Sequence, residues 1–195
     1  MVVSTKSTAG GNFPTDWITP TEYKRMRDAY RPARLRAVFL LESPPKSGKY
    51  FYNRDGKVTE PLFKAMMEFI GIADKIKSKE DGLREFQDRG FFVVDASYDP
   101  VNNLKGKARD QMILRGFRSL VQDLNLLDPG RKAKVVLVKK NICELMEPRL
   151  TREGFVVANK GDRVFFPGSG RQADFRRQIK LVAKKSGLRT AAPTH

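Results

Sequence analysis

Short apolar runs alternate with amphipathic stretches along most of the chain. Three runs, at 35–41, 91–96 and 134–139, consist mainly of Val, Leu, Phe and Ala. Such runs are typical of strands that are buried on both faces of a parallel sheet. Two further strand pieces are predicted at 155–158 and 163–166, on either side of a glycine-containing turn, and we expect the second to be the fourth strand of the main sheet.

Helical periodicity separates these runs. Thr19-Pro-Thr-Glu22 predicts a helix that extends to about residue 30, with proline near its first position and an acid in its first turn. In segment 61–71 apolar residues recur at helical spacing and Gly71 can end the helix, so its methionines and phenylalanines are expected in the core. The same pattern predicts further helices at 79–87, 108–127 and 141–146, and a last helix that follows Gly170 and continues to residue 185.

Strands that alternate with helices predict an α/β fold with right-handed crossovers. We expect a three-layer α/β/α sandwich with a central, mostly parallel four-stranded sheet. One domain is predicted at 15–186, because this length provides a sizeable core. The Ser-, Thr- and Gly-rich segment 1–14 is predicted to be a disordered tail, and 187–195 a flexible one.

The charge of the chain is strongly positive, with 38 Lys and Arg against 22 Asp and Glu, a net charge of +16 and a pI near 10.1. An anionic partner is the natural inference, with nucleic acid ahead of a membrane surface. Segment 160–189 carries nine of the basic residues and only two acids, which favours a phosphate-binding face. A basic surface that serves solubility alone is the alternative.

The rare residues exclude several classes of chemistry. Cys143 is the single cysteine, so disulfides within the chain are excluded, and a reducing compartment is expected. The single histidine, His195, is the last residue, which excludes Ser-His-Asp catalysis and His-ligated zinc unless the tail supplies the imidazole. No apolar run reaches the ~20 residues of a membrane span. We therefore expect a cytoplasmic protein, or a nuclear one in a eukaryote.

Polar residues follow the predicted strands. Glu42 and Ser43 follow the first strand, Asp95 ends the second, Lys139 and Asn141 follow the third, and the turn 168–171 precedes the last helix. The carboxyl ends of parallel strands lie at one edge of a sheet, where open α/β folds bind their ligands. The turn after the first strand continues into Tyr50-Phe51-Tyr52, which we interpret as a stacking platform for bases, with helix core as the alternative.

This order of elements and motifs resembles the uracil-DNA glycosylase superfamily over residues 35–182. Leu41-Glu-Ser-Pro-Pro45 is similar to its first motif, a turn with an acid or amide followed by proline. Phe91-Phe-Val-Val-Asp95 corresponds to the strand that ends in a base-reading Asn, and Phe166-Pro-Gly-Ser-Gly170 is similar to the His-Pro-Ser-Pro-like turn before the final helix.

The resemblance implies DNA binding, eversion of a damaged base and hydrolysis of its N-glycosidic bond, without metal or cofactor. Glu42 and Ser43 would position the water, and Phe51, with Tyr50 as second choice, would stack on the base. Asp95 and Ser169 would contact the base. The residues implied in DNA binding, or in holding the leaving base, are Gly168, Gly170, Arg171, Arg176, Arg177, Lys139 and Asn141.

Three positions depart from the family pattern. Ser43 stands where a water-activating Asp or Asn is common, and Phe166 or Pro167 replaces the motif histidine. Asp95 replaces the Asn, whose amide offers one donor and one acceptor, whereas an ionised Asp only accepts. We therefore expect an altered base preference, or recognition of uracil by a protonated Asp95; a purely structural Asp95, which caps a loop or pairs with a lysine, is the alternative.

Two other functions stay open. The first is a catalytically weak or inactive nucleic-acid-binding protein on the same fold, which the absent histidine and Ser43 favour. The second is a metal-dependent nuclease, which is less favoured because the run 135–140 lacks the acid that precedes the lysine in an acid-x-lysine strand.

Overall fold

The computed structural model describes residues 18–191. The predicted tail 1–14 lies outside the described residues, as does His195. In chain order the elements are α1 (Pro20–Asp28), β1 (Ala37–Leu41), α2 (Pro61–Phe69), α3 (Lys79–Asp88), β2 (Phe91–Asp95), α4 (Gly106–Arg115), α5 (Phe117–Leu127), β3 (Lys134–Leu137), α6 (Lys140–Arg152), β4 (Val156–Val157) and α7 (Gln172–Ser186).

The four strands form one parallel sheet in the order β2-β1-β3-β4, flanked by helices. Ala37 of β1 pairs with Phe91 of β2 on one side and with Lys134 of β3 on the other. Every residue of β1 and β2 is buried, as the apolar runs predicted for strands covered on both faces. The predicted α/β fold with a four-stranded parallel sheet is confirmed.

The starts of two helices are set by capping boxes. Thr19 and Glu22 exchange side-chain and backbone hydrogen bonds at the start of α1, and Ser78 and Asp81 do the same at α3. Each box satisfies N–H groups that the first turn of a helix leaves without partners. Within residues 18–191, none of the helices has the length and apolar character that a membrane span requires.

The prediction of one long helix at 108–127 was wrong, because the segment forms α4 and α5 with Gly116 between them. A Cβ at Gly116 would lie 2.9 Å from the carbonyl oxygen of Ala96. Glycine therefore lets the start of α5 approach the end of β2 closely. The short helix predicted at 141–146 is longer in the structure, since α6 continues through Pro148 to Arg152.

The fourth strand is β4 and not segment 163–166, so that prediction was also wrong. Beyond β4, the side chain of Asn159 takes the place of a strand along β3. Its Oδ1 accepts from the Leu137 N–H at 2.9 Å, and its Nδ2 donates to the Leu137 carbonyl at 3.0 Å. Segment 163–166 then meets the end of β3 through one bond, from the Lys139 N–H to the carbonyl of Val164.

At the outer edge of β2, a side chain accepts a hydrogen bond from a backbone N–H group. The hydroxyl of Tyr52 accepts a hydrogen bond of 2.7 Å from the Val93 N–H, which points away from β1. Lys79, which is 1% exposed, holds the same loop through bonds to the Tyr50 carbonyl at 2.7 Å and to Glu60 at 2.8 Å. Burial lowers the pKa of Lys79, and its bond to Glu60 opposes that change.

The segment after α7 packs against the domain as far as the structure describes it. Leu188 is buried in the core, and the guanidinium of Arg36 donates to the carbonyls of Arg189 and Ala191. Residues 187–191, the first part of the tail predicted to be flexible, thus make contacts with the domain. Residues 192–195 lie outside the described part of the chain.

Candidate functional site

A cavity of about 280 Å³ lies at the carboxyl edge of the sheet, and we call it the main cavity. Its polar lining includes Glu42, Ser43, Asp95 and Lys139, and its aromatic lining is Tyr50, Phe51, Phe63 and Phe166. Prolines 44, 45 and 61 complete much of the wall. A largely apolar cavity with a few convergent polar groups at this edge of a parallel sheet is the usual setting of a ligand site.

Glu42 is held by three side chains from different elements. Its carboxylate accepts from the ammonium of Lys139 and, at 2.7 Å, from Nδ2 of Asn141. The guanidinium of Arg109 lies 3.9 Å away. The predicted residues Glu42, Lys139 and Asn141 thus meet at the ends of β1 and β3, although Asn141 does not itself line the main cavity.

Lys139 reaches Glu42 through an unusual backbone conformation, with φ at +89°. Side chains disfavour this region because Cβ crowds the backbone, and residues other than glycine hold it only where surrounding bonds enforce it. Here the N–H of Lys139 donates to Val164 at 2.7 Å, and its carbonyl accepts from Cys143 at the start of α6. The conformation turns the chain from β3 into α6 at the rim of the main cavity.

Ser43 joins the main cavity to the loop after β2. Its Oγ accepts from the Val101 N–H at 3.3 Å, which leaves the hydroxyl proton of Ser43 available to a water or a ligand. Glu42 continues the pairing of β1 beyond its last residue, because its carbonyl accepts from the N–H of Ser97 at 3.1 Å. Both predicted water-positioning residues are therefore fixed by backbone bonds.

Asp95 is the last residue of β2 and is 3% exposed. Its Oδ2 is buried and has no hydrogen-bond partner within residues 18–191, and the same is true of the hydroxyl of Tyr50. Both residues line the main cavity. Burial raises the pKa of Asp95 to about 8; Arg27 opposes the shift and Glu42 adds to it. Unsatisfied buried polar atoms are rare in proteins, so Asp95 and Tyr50 are candidate contacts for a ligand.

The aromatic residues after β1 are core residues and not the open platform that we predicted. The ring of Phe51 is 3% exposed and packs against Tyr52, Phe63 and Phe86, at centroid distances of 5.0, 5.8 and 5.4 Å. The prediction failed because the loop folds back over α2 and α3 and buries these rings in the core. Tyr50 and Phe51 reach the main cavity only from its wall.

Phe166 is an aromatic residue of the main cavity whose side chain is exposed to solvent. It is 40% exposed and lines the main cavity, whereas the other exposed large apolar residues of segment 18–191, Leu126, Val156 and Leu181, do not. A Cβ at Gly168 would lie 3.1 Å from the Phe166 ring, so this glycine leaves room for the ring. In the sequence, the signal for Phe166 was an aromatic residue near the position that the resemblance assigns to a histidine.

The turn 168–171 precedes α7 as predicted but does not line the main cavity among the described residues. Ser169 is exposed and has φ at +50°, and Gly170 has φ at +81°. Arg171 stacks on Phe165 at 4.3 Å and lies 3.4 Å from Asp174. The structure therefore does not bring Ser169 to the main cavity; the turn lies beside it, two residues from Phe166.

Several of the basic residues predicted to bind DNA already face carboxylates. Arg177 lies 2.7 Å from Asp174, and Arg176 lies 3.1 Å from Glu68 of α2. These contacts are at the surface, where ion pairs are weak and exchange readily with other anions. Arg176 and Arg177 thus remain accessible on the face of α7.

The sequence analysis missed Arg27, a buried arginine behind Asp95. Its guanidinium binds Asp123 of α5, with contacts at 2.5 and 3.1 Å, and donates to the hydroxyl of Tyr98 at 2.6 Å. Burial opposes the charged form, but Asp123 together with Tyr98 and Asp28 raises the pKa of Arg27, which stays a cation. A buried arginine inside a helical apolar face carries no distinct sequence signal, so only the packing reveals it.

A second cavity of about 230 Å³ lies on the side of Lys24, Ser97, Tyr98 and Asp123, and Asp95 lines it as well. Within residues 18–191, no group of three or more His, Cys, Asp or Glu side chains is placed to hold a metal ion.

No protein-family model, curated protein or solved structure was found to match the chain. The case for a function therefore depends on the residues around the main cavity.

Proposed function

We propose that the protein binds DNA and excises a deaminated, uracil-type base after the base is everted into the main cavity. The observation that carries the proposal is that Asp95 and Tyr50, each with a buried polar atom that has no hydrogen-bond partner within residues 18–191, both line a cavity walled by aromatic and proline residues. A planar base supplies hydrogen-bonding atoms along its edge and apolar faces above and below. The edge of the base matches the polar groups of Asp95 and Tyr50, and its apolar faces match the aromatic and proline walls.

Glu42 and Ser43 are the groups that position the attacking water. They lie at the end of β1, where both residues line the same cavity as Asp95. In the reaction the water oxygen bonds to C1′ of the deoxyribose, and the bond from C1′ to the base breaks. Its electron pair leaves with the base, and the proton lost by the water passes by way of Glu42 to solvent, while the base gains a proton.

Lys139 contributes a positive charge at the same place. Its ammonium is about one-third exposed beside Glu42, so it can hold the carboxylate and also face the anionic charge of the departing base. No metal or cofactor enters the proposal, since every step uses groups of the chain and water.

DNA binding is supported by the charge of the chain and by its distribution. The net charge is +16, and α7 presents Arg176, Arg177, Lys180 and Lys184 to solvent. Each phosphate that a cation neutralises releases counterions, so we expect affinity to fall steeply as salt rises. A DNA substrate also implies a compartment that holds DNA, the cytoplasm of a bacterium or the nucleus of a eukaryote.

The test is base release from oligonucleotides that contain one uracil or one hypoxanthine, in the presence of a metal chelator, followed by alkaline cleavage of abasic sites. We expect alkali-dependent cleavage with the wild-type protein and its loss in Glu42→Gln. Glu144→Gln is the matched control, because Glu144 pairs with Arg163 at the surface and does not line the main cavity. Strand scission that needs Mg²⁺ and no alkali would instead support a nuclease and overturn the proposal.

The second candidate is a protein that binds an everted base without excising it. It is favoured by the contacts of Glu42, whose two carboxylate oxygens already accept hydrogen bonds from Lys139 and Asn141 and so are partly occupied before a water binds. Retention of uracil-containing DNA in a binding assay, with no abasic product, would support this candidate against the first.

A further inference from the structure

We propose that Asp95 recognises its ligand as a neutral carboxylic acid, so that the main cavity takes a base edge with a hydrogen-bond acceptor next to a donor and loses it when Asp95 ionises. The edge formed by O4 and N3–H of uracil, or by O6 and N1–H of hypoxanthine, is of this class. The inference deepens the proposed function and rests on it for the nature of the ligand, but it concerns binding and not excision.

The position of Asp95 is the first argument. Asp95 follows four consecutive buried apolar residues of β2, and its side chain is almost completely removed from solvent. Its Oδ2 nevertheless has no hydrogen-bond partner within residues 18–191, although the residue lines the main cavity. A buried carboxyl oxygen without a partner is costly, and a ligand that bonds to it removes that cost.

The charges around Asp95 do not supply a counterion for the ionised form. Arg27 is the cation on the neighbouring helix, but its guanidinium is already bound to Asp123, Asp28 and Tyr98. Glu42 adds a negative charge from the end of β1. The other groups that face Asp95 or share its two cavities are four tyrosines, three lysines and three acids: Tyr23, Tyr50, Tyr52, Tyr98, Lys24, Lys49, Lys139, Glu60, Asp99 and Asp123.

These surroundings agree with the titration of the residue. Burial in this apolar wall raises the pKa of Asp95 to about 8, since removal from water disfavours the charged form. At neutral pH the side chain is then mostly the neutral acid. A neutral acid carries one O–H donor and one carbonyl acceptor, as an amide does, whereas a carboxylate only accepts.

The two protonation states select different ligands. The neutral acid forms two parallel hydrogen bonds with an edge that presents one acceptor and one donor. The carboxylate would repel the acceptor of that edge and would favour an edge with two donors. Binding of uracil therefore requires the proton on Asp95, and apparent affinity follows the fraction of protein that carries it.

The experiment measures binding of free uracil by NMR titration at pH 7 and pH 9, with the full chain, for wild type and for Asp95→Asn. With a pKa of about 8, the neutral fraction falls about tenfold between these pH values, and so does the expected affinity of the wild type. Asp95→Asn keeps a donor and an acceptor but cannot ionise, so its affinity should change only through the ionisation of uracil itself. That contribution is common to both proteins and cancels in their ratio.

A Leu181→Ala variant, altered on the exposed face of α7 outside the main cavity, should titrate as the wild type does. The inference is overturned if wild type and Asp95→Asn show the same pH dependence, or if neither binds uracil at pH 7. Base release from uracil-containing DNA at pH 7 is scored separately. Release of the base without pH-dependent binding would overturn this inference alone. Binding that depends on pH, without release of the base, would overturn the excision proposal alone.

Discussion

The ammonium of Lys139 donates a hydrogen bond to the carboxylate of Glu42 across the ends of two adjacent strands, β1 and β3. Lys139 makes this contact from a backbone conformation, φ +89°, that glycine adopts with far less strain. Lys139, one of the residues that bind Glu42, thus also has a strained backbone at the rim of the main cavity.

Two substitutions of Lys139 separate the loss of its charge from the relief of its backbone strain. Lys139→Ala and Lys139→Gly both remove the cation, but only glycine relieves the backbone. We expect Lys139→Gly to be more stable than Lys139→Ala by about 1 kcal/mol or more in urea unfolding, the reverse of the usual order for these residues. Base release should fall to a similar extent in both. Equal stability of the two variants would show that the backbone at 139 is not strained.

The stability of the protein should depend on the ionisation of Asp95. The folded protein holds the proton with a pKa of about 8, whereas the unfolded chain has the ordinary value of 3.8. This contribution is therefore complete below about pH 4 and is lost as the pH rises to about 8. At about 1.4 kcal/mol for each pKa unit, the loss is on the order of several kcal/mol.

The substitution Asp95→Asn removes the dependence of stability on ionisation at position 95. The difference in unfolding free energy between Asp95→Asn and wild type should grow in favour of the variant from pH 5 to pH 8.5, when both are measured by urea unfolding. Other titrating groups cancel in the difference. A difference that stays constant over this range would mean that Asp95 ionises with an ordinary pKa.

Tyr52→Phe should lower the unfolding free energy by about 1–3 kcal/mol, because it leaves the buried Val93 N–H without an acceptor while keeping the ring. Amide exchange at Val93 should become faster. Tyr30→Phe is the matched control, since the Tyr30 ring stacks on Tyr52 at 5.9 Å and its hydroxyl has no hydrogen bond within residues 18–191. Equal losses in the two variants would contradict the role of the Tyr52 hydroxyl.

Asn159→Ala should be more destabilising, because it leaves the Leu137 N–H without an acceptor and the Asp162 carbonyl without its amide donor, while the Leu137 carbonyl keeps only the weak donor of the Cys143 thiol at 3.5 Å. At about 1–3 kcal/mol for each unpaired group, we expect a loss of at least 2 kcal/mol in urea unfolding. Asn103→Ala, at an exposed position in the loop before α4, should change stability by less than about 0.5 kcal/mol. A loss below 1 kcal/mol for Asn159→Ala would show that water replaces the amide.

Phe166→Ala tests the aromatic contact at the mouth of the main cavity. Stacking on a base contributes about 1–3 kcal/mol, so affinity for uracil-containing DNA should fall about tenfold. Stability should change little, since the ring is 40% exposed. Leu181→Ala removes a similarly exposed apolar side chain outside the cavity and should leave affinity unchanged. Unchanged binding in Phe166→Ala would exclude a stacking role.

The strands were predictable because burial on both faces leaves a simple signature, an apolar run of strand length followed by a polar residue. The same reasoning placed Glu42, Asp95 and Lys139 at one edge, since parallel strands share their direction. One error, the single helix predicted at 108–127, had a signal in the sequence that the periodicity did not take into account. Gly116 interrupts an apolar pattern that fits one long helix, and its lack of a side chain is what permits the break.

Other features required the packed structure. Asn159 imitates a strand with its side chain, which no periodic pattern reveals. The aromatic sequence at 50–52 has the composition of a stacking platform, but whether such rings face solvent or the core depends on how the loop folds over α2 and α3. The high pKa of Asp95 likewise depends on how completely the packed domain buries its side chain, because burial raises this pKa and Arg27 only partly opposes the shift.

The bond between Tyr52 and Val93 also bears on how the molecule meets other chains. An edge strand with free N–H groups is a template on which a strand of a second molecule can add, and this is a common route to aggregation. At β2 the Val93 donor is already taken by a buried phenol. At the opposite edge, β4 has only two residues, too few to recruit a partner strand along its length. Both edge strands, β2 and β4, therefore disfavour self-association by strand addition. The carboxyl ends of the strands, where the main cavity lies, remain open to a ligand.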